Sequence, residues 1–86
     1  MGSEQAVAEG AEVERAIRRL MLARNAPAVR EVAARAKLAK AELERIVRAI
    51  LEEQKRVGTE DRLGPRYDIY SGKHLTLEEW AHQLLR

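Results

Sequence analysis

Two short apolar stripes with helical spacing meet across a small gap in residues 30–50, which read REVAARAKLAKAELERIVRAI. The first stripe stops at Ala36 and the second resumes at Leu43. The gap between them contains Lys37, Leu38 and Ala39. We therefore predict two short helices joined by a tight turn, and the pattern raises the question of DNA binding.

Length and composition limit the class of protein. With 86 residues, the chain is expected to form one domain. A composition of 45% hydrophobic and 35% charged residues is too apolar for a disordered chain and too charged for a membrane protein. Cysteine is absent, and neither a long apolar run nor a signal peptide is found. We expect a soluble intracellular protein, in the cytoplasm, nucleoid or nucleus.

The basic residues are concentrated in the two-helix segment. The whole chain has 16 Lys and Arg against 14 Asp and Glu, a balance that neither requires nor excludes nucleic acid. Residues 27–57, by contrast, hold eight Lys and Arg against five Glu.

Helical periodicity and stop signals divide the first part of the chain. Residues 1–10 are assigned no fold, as a flexible N-terminus that is natural or left over from expression. The first helix is predicted over 11–24, with Asn25 as a left-handed stop and Pro27 blocking its continuation. The second and third helices are predicted over about 28–36 and 40–55.

Turn residues and alternation predict a hairpin after the third helix, with strands at 56–59 and 66–70 and a turn between them. A last helix follows, because Thr76 and Glu79 fit a capping box. We thus expect a main domain over 11–70 and a C-terminal helix within 71–86. The expected core contains Leu20, Val32, Ile46, Ile50 and Ile69.

The order helix, helix, turn, helix, hairpin resembles the winged helix-turn-helix superfamily over about residues 12–70. Ala33 matches that family's small residue at the helix crossing, Leu38 its inward turn residue, and Leu43 and Ile46 the anchors of its third helix. Lys37 stands where the family usually has glycine, and Ala39 where it usually has a serine or threonine cap. The resemblance implies a mainly α fold with a small β-hairpin, a winged helix-turn-helix with an extra C-terminal helix.

The third helix has a candidate DNA-reading face. With its apolar stripe inward, Ala41, Arg45, Arg48 and Glu52 point outward. The predicted hairpin corresponds to the wing of the family, and its arginines and the lysines near the turn before the third helix could contact phosphates. The expected DNA-binding residues are therefore Lys37, Lys40, Ala41, Arg45, Arg48, Arg62 and Arg66. The alternative is a solvated face on which Glu44 pairs with Arg48 and Glu42 with Arg45.

The last helix also carries an apolar stripe. Its expected role is a homodimer interface, formed by Leu77, Trp80, Leu84 and Leu85. Packing against the first helix, or binding to another protein, are the alternatives.

The sequence offers little catalytic or metal-binding chemistry. His74 and His82 are the only histidines, and Glu78 with His82 is the one metal-like spacing. We therefore predict no enzyme, cofactor, metal or small-molecule ligand. The expected function is duplex DNA binding, as a transcription regulator or as an accessory factor of replication or genome maintenance. The alternative is a winged-helix module for protein–protein interaction within a larger complex.

Overall fold

A computed structural model describes residues 2–86, with side chains from Gly10 onward. The chain is mainly helical with one small antiparallel sheet, as predicted. Its elements are α1 (Gly2–Leu22), α2 (Ala26–Arg35), α3 (Lys40–Val57), α4 (Glu60–Leu63), β1 (Arg66–Asp68), β2 (Lys73–Leu75) and α5 (Leu77–Leu84). Two units are distinguished, Met1–Leu43 and Glu44–Arg86. Helix α1 begins at Gly2, nine residues before the predicted start at Ala11, so the absence of a fold expected for residues 2–10 is wrong. The predicted flexibility of residues 1–10 stays a prediction.

In the first unit, α1 and α2 end in the same way. Arg24 and Lys37 follow them in the left-handed conformation, with φ of 57° and 56°. After α1, the N–H groups of Arg24 and Asn25 donate to the carbonyls of Met21 and Leu20, both at 2.9 Å. Lys37 and Leu38 repeat this pattern after α2, so both ends are Schellman motifs.

Asn25 has a different role from the one predicted. Its φ is −98°, and its side chain accepts a hydrogen bond from the Ala28 N–H at 3.2 Å, as the N-cap of α2. The left-handed stop is Arg24, one residue earlier. Pro27 lies in the first turn of α2, where a missing N–H breaks no helical bond. The helix therefore starts two residues before the predicted position.

Apolar residues at helical spacing form the buried part of the first unit. Ile17 and Met21 of α1 and Val29 of α2 have no exposed surface. Ala26 and Ala33 of α2 are also buried. Their small side chains allow α1 and α2 to approach closely. Leu20 and Val32, which the sequence placed in the core, are half-buried.

In the second unit, α3 continues further than predicted. Ile46, Val47, Ile50 and Leu51 are buried at the expected spacing. The helix includes Arg56 and Val57, so the predicted strand at 56–59 is wrong. The Gly58 N–H donates to the Gln54 carbonyl at 2.7 Å, and α4 begins two residues later.

The hairpin is formed by residues 66–75, later than predicted. β1 and β2 pair antiparallel, with Arg66 opposite Leu75, Tyr67 opposite His74 and Asp68 opposite Lys73. Residues 69–72 form the turn, where Gly72 takes a φ of 72°. Ile69 is 74% exposed, so its predicted place in the core is wrong.

The predicted capping box of α5 is confirmed. The Thr76 hydroxyl accepts from the Glu79 N–H at 3.2 Å, while the Glu79 carboxylate accepts from the Thr76 N–H at 2.9 Å. α5 lies against β2 and α4. None of the helices in the described chain is long and apolar enough to cross a membrane.

Candidate nucleic-acid interface

The turn before α3 has the geometry that the sequence predicted for it. Lys37 has the positive φ that favours glycine, at a cost of about 1 kcal/mol. Ala39 offers no side-chain cap, but the Glu42 carboxylate accepts a hydrogen bond from its N–H at 3.1 Å. Half of a capping box therefore holds the start of α3.

The predicted outward residues of α3 are all exposed. Ala41, Arg45, Arg48 and Glu52 follow helical spacing, opposite to the buried stripe. The two other predicted cations near the helix start, Lys37 and Lys40, are exposed as well. α3 can thus present long cationic side chains to an anionic partner.

Two carboxylates near these cations have local partners. Glu44 accepts a hydrogen bond from the Arg48 Nε at 2.9 Å, as an i, i+4 ion pair on the helix. Glu42 caps the start of α3. Their repulsion of a phosphate is therefore reduced, although the Glu44 pair is also what an ordinary solvated helix face would contain.

The structure changes the expected roles of Arg62 and Arg66, which the sequence placed beside the tip of a wing. Arg62 lies in α4, and Arg66 opens β1 at the end of the hairpin that is far from its turn. The Arg66 guanidinium donates to the Asp61 carbonyl at 2.8 and 3.2 Å. Arg66 thus ties β1 to α4, and neither arginine lies at the hairpin turn.

The residues at the turn of the hairpin were missed as site candidates. Lys73 follows the turn directly, and the Tyr67 and His74 rings form an edge-to-face pair with centroids 5.3 Å apart. A signal was present in Ser71 and Gly72, which are typical turn residues. Because the second strand of the hairpin was predicted over 66–70, both residues were expected to lie after the hairpin.

Lys55 belongs to an ion-pair network between α3 and α5. Its ammonium lies 2.8 Å from a Glu78 oxygen and 3.4 Å from a Glu52 oxygen. The hydrogen bond with Glu78 raises the pKa of Lys55, and the same bond lowers the pKa of Glu78. Lys55 therefore has a structural role within the second unit.

The stripe of the last helix is mostly buried within the single chain. Leu77, Trp80 and Leu84 are at most 5% exposed, and Leu85 is half-buried. A dimer was expected because this stripe would otherwise be exposed, and a single chain already covers most of it.

No group of three or more metal-ligating side chains occurs among the described residues. No family model matches the sequence, and no curated protein or solved structure is detectably similar to it.

Proposed function

We propose that this chain is a winged helix-turn-helix module that binds duplex DNA through α3 and the hairpin. It would act as a transcription regulator or as an accessory factor of replication or genome maintenance. The observation that carries the proposal is the pair Arg45 and Arg48, exposed about one turn apart on the side of α3 opposite its buried stripe. The order of elements and the left-handed Lys37 in the turn before α3 add support.

The chemistry of this side of α3 suits a groove of DNA. Arginine donates through a planar fork that fits the edge of guanine or two phosphate oxygens. Ala41, near the helix start, is small enough to let the backbone approach. The Glu44 carboxylate is engaged by Arg48, which lessens its repulsion of phosphate.

A second candidate is a winged-helix module that binds another protein. The observation that favours it is the apolar surface of the hairpin, where Tyr67, Ile69 and Tyr70 are each more than half exposed. Such side chains are common at the centres of protein interfaces. The two candidates differ in their response to salt and to duplex DNA.

Fluorescence anisotropy of a labelled random-sequence duplex tests the proposal. With about four phosphate contacts, affinity should fall on the order of 100-fold between about 50 and 200 mM salt, because binding releases counterions. Absence of binding at the lower salt concentration would reject DNA binding and favour the protein-interaction module.

Two matched pairs of variants locate the surface. Arg48 and Arg35 each form an i, i+4 ion pair, with Glu44 at 2.9 Å and Glu31 at 2.8 Å. Arg48→Ala should weaken DNA binding and reduce the slope of log affinity against log salt concentration by about one unit. Arg35→Ala on α2 should change neither the affinity nor the slope.

Glu44→Gln should tighten DNA binding, because it removes a negative charge near phosphate, whereas Glu31→Gln should leave the affinity unchanged. Equal effects within each pair would contradict the assignment to α3.

A further inference from the structure

Apolar side chains are exposed at the turn of the hairpin. Ile69 and Tyr70 begin this turn and are 74% and 57% exposed, and Tyr67 just before it is 58% exposed. Val57, at the end of α3, is the other large apolar residue of the described chain with such exposure. Leaving these side chains in water is unfavourable, so their concentration at one turn indicates a binding role.

The turn that presents them is held by hydrogen bonds. The Asp68 carboxylate accepts from the Ser71 N–H at 3.0 Å, and the Gly72 N–H donates to the Asp68 carbonyl at 2.8 Å. The Gln83 amide of α5 donates to the same Asp68 carboxylate at 3.3 Å. Ile69 and Tyr70 are thus carried on a turn that is fixed to a helix, and little conformational entropy is lost when they bind.

The exposed charge of the hairpin is positive. Arg66 and Lys73 are exposed, and Asp68 is the only acidic residue between Arg66 and Leu75. Asp68 is 6% exposed and its carboxylate is taken up by the turn. An apolar projection beside the cation Lys73 complements a partner that is anionic outside and apolar inside, as a stack of base pairs is.

We propose that the hairpin turn is a wedge, in which Ile69 enters the minor groove of duplex DNA and separates two adjacent base pairs. Lys73, directly after the turn, contacts a flanking phosphate. Proteins that insert an apolar side chain in this way kink DNA by roughly 20–90° toward the major groove. This inference rests on the proposed function, and it adds that the bound DNA is deformed at the hairpin.

A short duplex with one central TA step tests the wedge, because such pyrimidine–purine steps unstack most easily. The adenine of that step is replaced by 2-aminopurine, whose fluorescence rises on unstacking, and dyes at the two ends report bending by energy transfer. Anisotropy on the same duplex reports binding independently. The wild-type protein should raise both the 2-aminopurine signal and the energy transfer at saturation.

Ile69→Ser and Val57→Ser form a matched pair, since both remove a β-branched, largely exposed side chain. At saturating protein, Ile69→Ser should lose the 2-aminopurine and bending signals while still binding, and Val57→Ser should keep both. The emission of Trp80, which is buried, checks that each variant is folded.

Four results would overturn the wedge. Binding without unstacking, or equal signals from the two variants, rejects it and leaves DNA binding in place. Absence of any anisotropy change rejects both proposals. Ile69-dependent co-sedimentation with vesicles of phosphatidylserine and phosphatidylcholine, without duplex binding, would assign the turn to an anionic membrane.

Discussion

Two cationic residues occupy backbone positions that glycine would adopt at lower cost. Arg24 and Lys37 both follow a helix with a positive φ, where a Cβ atom crowds the backbone. Each is held by two hydrogen bonds to the last turn of the preceding helix. A positive charge near the carbonyl end of a helix is favourable and offsets part of the strain.

Lys37 gives a direct test of this strain. Lys37→Gly should be more stable than Lys37→Ala by about 1 kcal/mol, because both remove the charge but only glycine relieves the left-handed strain. Urea unfolding followed by Trp80 emission measures the difference. Equal stability of the two variants would mean that the strain at this position is negligible.

Asp68 links the stability of the second unit to pH. The Ser71 side chain beside its carboxylate, the backbone N–H groups of Ser71 and Tyr70 and the Gln83 amide lower the pKa of Asp68, and burial opposes them. A lowered pKa in the folded state means that the ionised form stabilises the fold at neutral pH. This contribution is present above the unfolded pKa of about 3.9 and is lost as the pH falls through the folded value.

Asp68→Asn should therefore lower the free energy of unfolding at pH 7, and its difference from the wild type should shrink as the pH falls below about 4. Urea titrations across this range measure it. Asp61→Asn, an exposed carboxylate in α4, is the control and should cost less at pH 7. A difference for Asp68→Asn that does not change with pH would contradict the role of its charge.

At the level of elements, two threonines precede helices, but only one of them caps its helix through its side chain. Thr76 accepts a hydrogen bond from Glu79, whereas Thr59, before α4, makes no side-chain cap bond. Thr76→Ala should cost about 1 kcal/mol of unfolding free energy, and Thr59→Ala should cost much less. Urea unfolding compares them, and similar losses would show that the cap at α5 contributes little.

Local signals explain which elements could be predicted from the sequence. α3 has a long apolar period and α5 has a capping box, and both begin where these patterns place them. The hairpin was misplaced because three-residue strands contain little pattern. One of the hydrogen bonds that hold it joins Asp68 to Gln83, 15 residues away, and this contact leaves no local trace in the sequence.

The same hairpin explains the error at Ile69. Alternation over residues 66–70 suggested a strand on which Ile69 faces the core. The structure instead buries Asp68 between them, because its carboxylate holds the turn. A shift of one residue in a strand exchanges its two faces, so the predicted core residue became the most exposed large apolar residue of the described chain. The exposed cations of α3 could be predicted from helical periodicity, whereas the residues at the turn of the hairpin could not.

At the scale of the whole molecule, the apolar stripe of α5, which the sequence assigned to a dimer interface, is buried within one chain. Trp80 is 2% exposed and Leu77 has no exposed surface within one chain. The Lys55–Glu78 ion pair and the Asp68–Gln83 hydrogen bond also fix α5 to its own unit. A dimer formed through this stripe would need α5 to leave these partners.

Trp80 distinguishes an intramolecular core from a dimer interface. Trp80→Ala should lower the free energy of unfolding by about 3–5 kcal/mol, because a large buried side chain leaves a cavity. Circular dichroism measures this loss, which should not depend on protein concentration.

Trp80→Phe keeps a ring in the core and should sediment with the same mass as the wild type, that of one chain. His82→Ala, an exposed residue of the same helix, should change neither property. A wild-type mass of two chains that falls to one in Trp80→Phe, with stability that rises with concentration, would instead show that α5 exchanges its intramolecular partners for a second copy.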